Sequence, residues 1–158
     1  MGFVTTFSLD FMHLISLGVM RRLLNRLSRK SNINTNELKI LDTRIAQFSQ
    51  HVLSDFNRKL SNGLNALSFW KATELRLFLL YAGMIVLRFV IPDAQYKHFL
   101  YFSIAMRILL SDTQITNVEN ASTMLLNFVE TSNPLYGSSF ISNNVHSMVH
   151  LVCNGKFG

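Results

Sequence analysis

The feature that most limits the fold of this chain is a long apolar segment, residues 70–91, which is followed by Pro92. No charged residue occurs in it between Arg76 and Arg88. A helix that is apolar on every side is either a membrane span or the central helix of a globular core. The uncharged run, residues 77–87, is much shorter than the roughly 20 residues that a span needs. Since proline cannot continue a helix, we predict a buried helix over residues 70–90.

Composition and periodicity predict an all-α fold. Hydrophobic residues make up 49% of the 158 residues, and two prolines are present, so the chain can bury a substantial core. Apolar residues recur at helical spacing, and strand-like alternation is almost absent. We expect a single domain, residues 1–158, with about six helices packed around the central one. The predicted helices are residues 9–27, 34–56, 70–90, 93–111, 116–133 and 142–152.

A positive cluster marks the end of the first predicted helix. Its members are Arg21, Arg22, Arg26, Arg29 and Lys30, in a chain of net charge +6. Cations at this position oppose the negative end of the helix dipole. The same residues are suited to phosphate groups, and a basic chain favours an acidic partner such as nucleic acid. From the residues alone, both explanations stay open.

Two histidine spacings are candidates for metal binding. His146 and His150 are four residues apart, so both rings would lie on one helix face and could share a Zn²⁺. Position 147 is Ser, which differs from the metalloprotease motif. Two histidines also make only half of a four-ligand structural site. Asp10 and His13 form a second pair, three residues apart on the first helix. A structural role is the alternative for both pairs.

Five groups of sequence strings resemble one protein family in the same order along the chain. They are Leu9-Asp10-Phe11-Met12-His13-Leu14 with Leu17-Gly18-Val19-Met20; Trp70-Lys71-Ala72-Thr73-Glu74 with Phe78-Leu79-Leu80-Tyr81; Tyr96-Lys97-His98-Phe99-Leu100; Ala105-Met106-Arg107-Ile108-Leu109; and Leu135-Tyr136-Gly137 with Phe140, Ser142, Asn144-Val145-His146 and His150-Leu151. These strings resemble DDE-type transposases related to the CACTA group, found in insect and other animal genomes.

The resemblance implies a fold and a function. The family's catalytic domain resembles ribonuclease H, and three acidic residues hold two divalent metals, normally Mg²⁺. A helical insertion separates the second acid from the third, and this chain looks like that insertion, truncated on both sides. The implied function is that of a transposase fragment or relic, itself inactive, with a weak DNA-binding or structural role. DNA is the implied partner, the nucleus the implied location, and homo-oligomers are implied for the intact family.

The resemblance also bears on the candidate sites. It implies that His146 and His150 are half of a zinc site, completed in the family by an upstream Cys-x-x-Cys pair. Cys153 does not replace that pair. In an alternative arrangement, Asp10 and His13 complete the site. In a third, Asp10 caps the first helix and His13 lies at the edge of the core. Glu74 lies in a family string, but an acid in the first turn of a helix is explained by the dipole.

Two other functions compete with the transposase fragment. The first is a non-enzymatic helical module that binds DNA or another protein. The second is a peripheral membrane protein, suggested by the mean hydropathy of +0.24. The short uncharged run argues against the membrane, and we expect none as a partner.

Overall fold

A computed structural model of the chain describes residues 2–29, 31–51, 63–110, 118–137 and 140. Every regular element in these ranges is helical, which confirms the prediction of an all-α fold. Two short elements accompany the α-helices: a 3₁₀ helix, Leu64–Phe69, and a π-helical segment, Phe78–Ala82. The α-helices of the described ranges are α1 (Gly2–Leu27), α2 (Thr35–His51), α3 (Ala72–Leu77), α4 (Gly83–Val86), α5 (Asp93–Leu110) and α6 (Val118–Tyr136).

The chain divides into two compact units. One comprises Met20–Tyr96, and the other comprises Met1–Val19 together with Lys97–Gly158. The first unit, which we call the central unit, contains the long apolar segment. In the described part of the central unit, α2 packs against α4 and against the 3₁₀ helix. The sixth predicted helix, residues 142–152, lies outside the described residues.

The predicted central helix is present but shorter than expected, since α3, the π-helical segment and α4 together cover residues 72–86. It begins after Lys71, whose carbonyl oxygen accepts the first helical hydrogen bonds from the N–H groups of Glu74 and Leu75. It ends before a turn at residues 87–90, well ahead of Pro92. One face is exposed, at Tyr81 and Ile85, so the expectation of burial on every side is wrong there.

The ends of two other helices also differ from expectation. Helix α1 begins at Gly2, several residues before the apolar periodicity becomes clear. Helix α6 continues through Pro134 to Tyr136, although the sequence predicts that Asn133 and Pro134 end it. A proline this close to a helix end removes only one backbone hydrogen bond. The helix stops instead at Gly137, whose positive φ of 84° suits the left-handed position after a helix.

The second unit has an aromatic core between α5 and α6. Phe102 and Phe128 stack with centroids 4.8 Å apart, and Phe140 lies edge-on to Phe128 at 6.4 Å. His98 is buried among these rings. Tyr136 also contacts this cluster, and burial raises the pKa of its phenol.

Candidate nucleic-acid interface

The structure separates Arg21 from the other arginines of the predicted basic cluster. Its Nη1 donates to the carbonyl oxygen of Leu67 at 2.9 Å, and its Nη2 donates to that of Trp70 at 2.6 Å. These carbonyls lie at the C-terminal end of the 3₁₀ helix, where few helical N–H donors remain. The Leu67 carbonyl also accepts the N–H of Trp70 at 3.1 Å. Arg21 therefore caps this helix end and has a clear structural role.

Three other arginines lie together at the end of α1. Burial lowers the pKa of Arg26, and the positive charges of Arg29 and Arg22 lower it further. The charges interact because Arg22 and Arg29 are four and three positions away from Arg26, on one side of the helix end. We call Arg22, Arg26 and Arg29 the α1 arginine cluster. Lys30, the fifth predicted member, lies outside the described residues.

The loop after α1 holds the exposed Arg29 in place. The amides of Asn32 and Gln95 donate to one another, at 2.8 Å and 2.7 Å. Asn32 also donates to the carbonyl oxygen of Leu27, the last residue of α1. Ile33, which is buried, donates its N–H to the Arg29 carbonyl at 3.0 Å. This loop is thus fixed on both sides of Arg29, and the cluster has a defined backbone geometry.

The structure contains a second basic surface that the sequence does not predict. An open groove of about 820 Å³ lies between the C-terminal half of α2 and the segment around the end of α4. Phe89 and Ile85 are both exposed in it. The sequence does not indicate the groove because the apolar run predicts one buried helix over residues 70–90. The groove is lined by Arg44, Gln47, Phe48, Gln50, His51, Ile85, Arg88 and Phe89.

The predicted zinc site falls largely outside the described residues. This holds for His146 and His150, and also for the side chains of Asp10 and His13, whose backbone belongs to α1. The expected role of Asp10 as a helix cap is wrong, because α1 begins at Gly2. Within the described ranges, no three His, Cys, Asp or Glu side chains are arranged to hold a metal ion. The zinc site stays a prediction.

Glu74 lies in the first turn of α3, as expected. Its side chain is buried, and its Oε2 has no hydrogen-bond partner among the described residues. The positive end of the α3 dipole favours a negative charge at this position. Glu74 therefore has a position that the helix dipole explains. In the described part of the chain, it belongs to no group of side chains that could hold a metal ion.

No helix in the described ranges combines the length and hydropathy that crossing a bilayer requires. Searches among protein-family models, curated proteins and solved structures found no match to this chain. The resemblance to DDE transposases therefore rests on the sequence strings alone.

Proposed function

We propose that this chain is a non-catalytic helical module that binds DNA weakly and without sequence preference. The observation that carries the proposal is the α1 arginine cluster, three cations close together in a chain of net charge +6. Non-specific binding to DNA comes mainly from lysine and arginine side chains that neutralise phosphates and release counterions. A compact group of arginines supplies this interaction.

The positions of the three arginines fit phosphate binding better than an interaction with the helix dipole alone. The helix dipole acts within the last turn of a helix, and Arg26 is the basic residue in the last turn of α1. Arg22 lies one turn earlier, and Arg29 lies beyond the helix end. The positive charges of Arg22 and Arg29 repel that of Arg26. A phosphate backbone would turn that repulsion into favourable contacts for all three arginines.

We assign no catalytic step to the chain. Two-metal phosphodiester chemistry needs several converging carboxylates. The nine acidic residues are scattered along the sequence. In this proposal the module corresponds to the helical insertion of a DDE transposase, and works beside DNA in the nucleus. Its intact relatives would carry the Mg²⁺-dependent chemistry and the complete zinc site.

The direct test is DNA binding by a triple variant. Arg22→Gln, Arg26→Gln and Arg29→Gln together remove three positive charges from the cluster. Fluorescence anisotropy with two duplexes of unrelated sequence should show a similar decrease in affinity for both, because phosphate contacts carry no sequence information.

A matched control distinguishes the effect of the cluster on DNA binding from the effect of the net charge. Lys39→Gln, Lys71→Gln and Arg76→Gln remove the same number of charges from exposed side chains elsewhere in the central unit. The control variant should keep most of the affinity. Equal decreases in the two variants would mean that net charge alone attracts DNA, and would remove the cluster as the binding site.

The genomic sequence on either side of the coding region tests descent from a transposase. Transposase descent predicts a Cys-x-x-Cys pair encoded upstream of Asp10 and an acidic residue encoded soon after Gly158. Intact flanking coding sequence without either feature would contradict the descent and leave the DNA-binding proposal standing.

A further inference from the structure

Phe89 has an unusual backbone conformation for its residue type. Its φ is +66°, in the left-handed region that glycine adopts readily and that is a genuine outlier for a bulky side chain. Conformations of this kind carry an energetic cost and occur often at functional sites. Burial of the side chain offsets little of this cost, since Phe89 is 85% exposed.

The surrounding structure holds Phe89 in this position. The guanidinium of Arg44 donates to the carbonyl oxygens of Val86 and Arg88, so that α2 fixes the backbone just before Phe89. The N–H of Val90 donates to the carbonyl oxygen of Leu87 at 3.2 Å and closes the turn. The backbone is therefore held by hydrogen bonds on both sides of Phe89, whose ring is exposed.

The ring of Phe89 already takes part in one cation–π contact. The Cζ atom of Arg88 lies 4.8 Å from the ring centroid, within the distance at which this interaction is favourable. The guanidinium covers part of one face, and the high exposure leaves ring surface accessible. An aromatic ring beside a cation can stack on a nucleobase and hold the adjoining phosphate.

The rest of the groove has the same chemical character. Cationic Arg44 and Arg88 line it together with His51, and no acidic side chain is among its described lining residues. Gln47 and Gln50 add amide groups that can donate and accept hydrogen bonds. The volume of about 820 Å³ lies in the range that accommodates a small-molecule-sized ligand, such as one nucleotide.

We propose that this groove binds a short single-stranded segment of nucleic acid, with a base stacked on Phe89 and a phosphate beside Arg88. Single-strand sites combine a positive groove with aromatic stacking surfaces, and both are present here. A bare phosphate would use the arginines and leave the exposed ring without a role. The site goes beyond the proposed binding of duplex DNA by the α1 arginine cluster, and does not depend on it.

The experiment measures binding of a fluorescent oligothymidine of about 12 nucleotides, a length within the usual range of single-strand sites. Phe89→Ala should weaken binding about tenfold or more, which is the usual effect of removing one base–aromatic stack. Arg88→Gln should also weaken it. Phe69→Ala and Arg76→Gln are the matched controls: Phe69 is 78% exposed, Arg76 is exposed, and neither lines the groove. Both controls should bind within about twofold of the original chain.

A second variant gives a readout that does not depend on affinity. Phe89→Trp places an indole in the groove, and its fluorescence should be quenched when a base stacks on it. The single native tryptophan, Trp70, is buried and serves as the internal background. Absence of quenching at saturating oligothymidine would overturn the proposal, even if the Phe89→Ala variant failed to fold.

Two further outcomes distinguish this site from its alternatives. Equal oligothymidine affinity for Phe89→Ala and the original chain would overturn the single-strand site, while duplex binding by the arginine cluster could still hold. Vesicles of phosphatidylserine and phosphatidylcholine test a lipid surface as the occupant. If Phe89→Ala abolished vesicle binding but left oligothymidine binding intact, the groove would be a membrane-contact site and the proposal would be wrong.

Discussion

The imidazole of His98 stacks on the ring of Phe128, with the two centroids 4.0 Å apart and the planes 12° from parallel. Its Nε2 donates to the carbonyl oxygen of the same residue at 2.8 Å, so this nitrogen carries the proton of the neutral ring. The hydroxyl of Ser132 lies 3.0 Å from Nε2. Nδ1 is buried with no hydrogen-bond partner among the described residues. Helices α5 and α6 are thus joined through a histidine that is held neutral.

This geometry predicts a decrease in stability in acid. Burial lowers the pKa of His98 to about 4 from an ordinary 6.5, and the bond to Phe128 only partly offsets this. Between pH 6.5 and 4 the unfolded chain binds a proton that the folded chain excludes, so stability falls as the pH falls. The decrease should approach about 3 kcal/mol at pH 4. Urea unfolding of the original chain and of His98→Gln should give stability curves that converge as the pH falls; parallel curves would contradict the assignment.

The aromatic pair at the start of the apolar segment should carry much of the central unit's stability. Trp70 and Phe78 are buried, with ring centroids 5.6 Å apart. Replacing either with alanine leaves a cavity and should cost about 3–5 kcal/mol. Phe69→Ala is the control: its side chain is mostly exposed, so the change should stay within about 0.5 kcal/mol. Similar denaturant midpoints for all three variants would show that the segment is not a core.

Arg21 should affect stability more than DNA binding. Arg21→Gln removes the charged donors that cap the carbonyls of Leu67 and Trp70, and hydrogen bonds to a charged group contribute about 1.5–3 kcal/mol. Arg76→Gln removes the same charge from an exposed position and should leave the urea midpoint nearly unchanged. In duplex binding, Arg21→Gln should weaken affinity less than Arg29→Gln. The opposite order would place Arg21 at the DNA surface.

Gly63 lies close to the carboxylate of Asp42. A Cβ atom at Gly63 would lie 2.5 Å from the Oδ1 atom of Asp42, which accepts the N–H of Leu64 at the start of the 3₁₀ helix. Gly63→Ala should displace the carboxylate, break that hydrogen bond and cost about 1 kcal/mol. In an Asp42→Ala background the same substitution should cost much less. Equal costs in thermal unfolding of the two backgrounds would mean that the close approach is not the cause.

Features determined by nearby residues could be predicted from the sequence. The start of α2 is an example, since Asn34 and Glu37 have the spacing of a reciprocal cap. The Glu37 N–H donates to the Asn34 Oδ1 at 2.8 Å. The Asn34 N–H donates to the Glu37 carboxylate at 3.4 Å. This cap is predictable because all of its atoms lie within one turn. The burial of Trp70 and Phe78 is predictable for a similar reason, since a long apolar run indicates a core.

Features determined by distant residues could not be predicted. The 3₁₀ helix at Leu64–Phe69 lies where the sequence predicts a connection, and it depends on Asp42 at one end and Arg21 at the other. The same is true of the groove. The sequence places Phe89 in an apolar run, while its exposure depends on a turn that Arg44 stabilises from another helix. Part of the basic cluster was predictable from spacing, but the separate role of Arg21 was not.

The salt dependence of duplex binding shows whether the α1 arginine cluster contacts DNA phosphates. The logarithm of the binding constant should fall linearly with the logarithm of salt concentration, with a slope that reports the number of neutralised phosphates. We expect the Arg22, Arg26 and Arg29 triple variant to have a slope smaller by about 0.9 for each phosphate that it no longer neutralises. The Lys39, Lys71 and Arg76 control should keep the original slope. An unchanged slope in the arginine triple variant would contradict the claim, and the cluster would then be a solvated helix end.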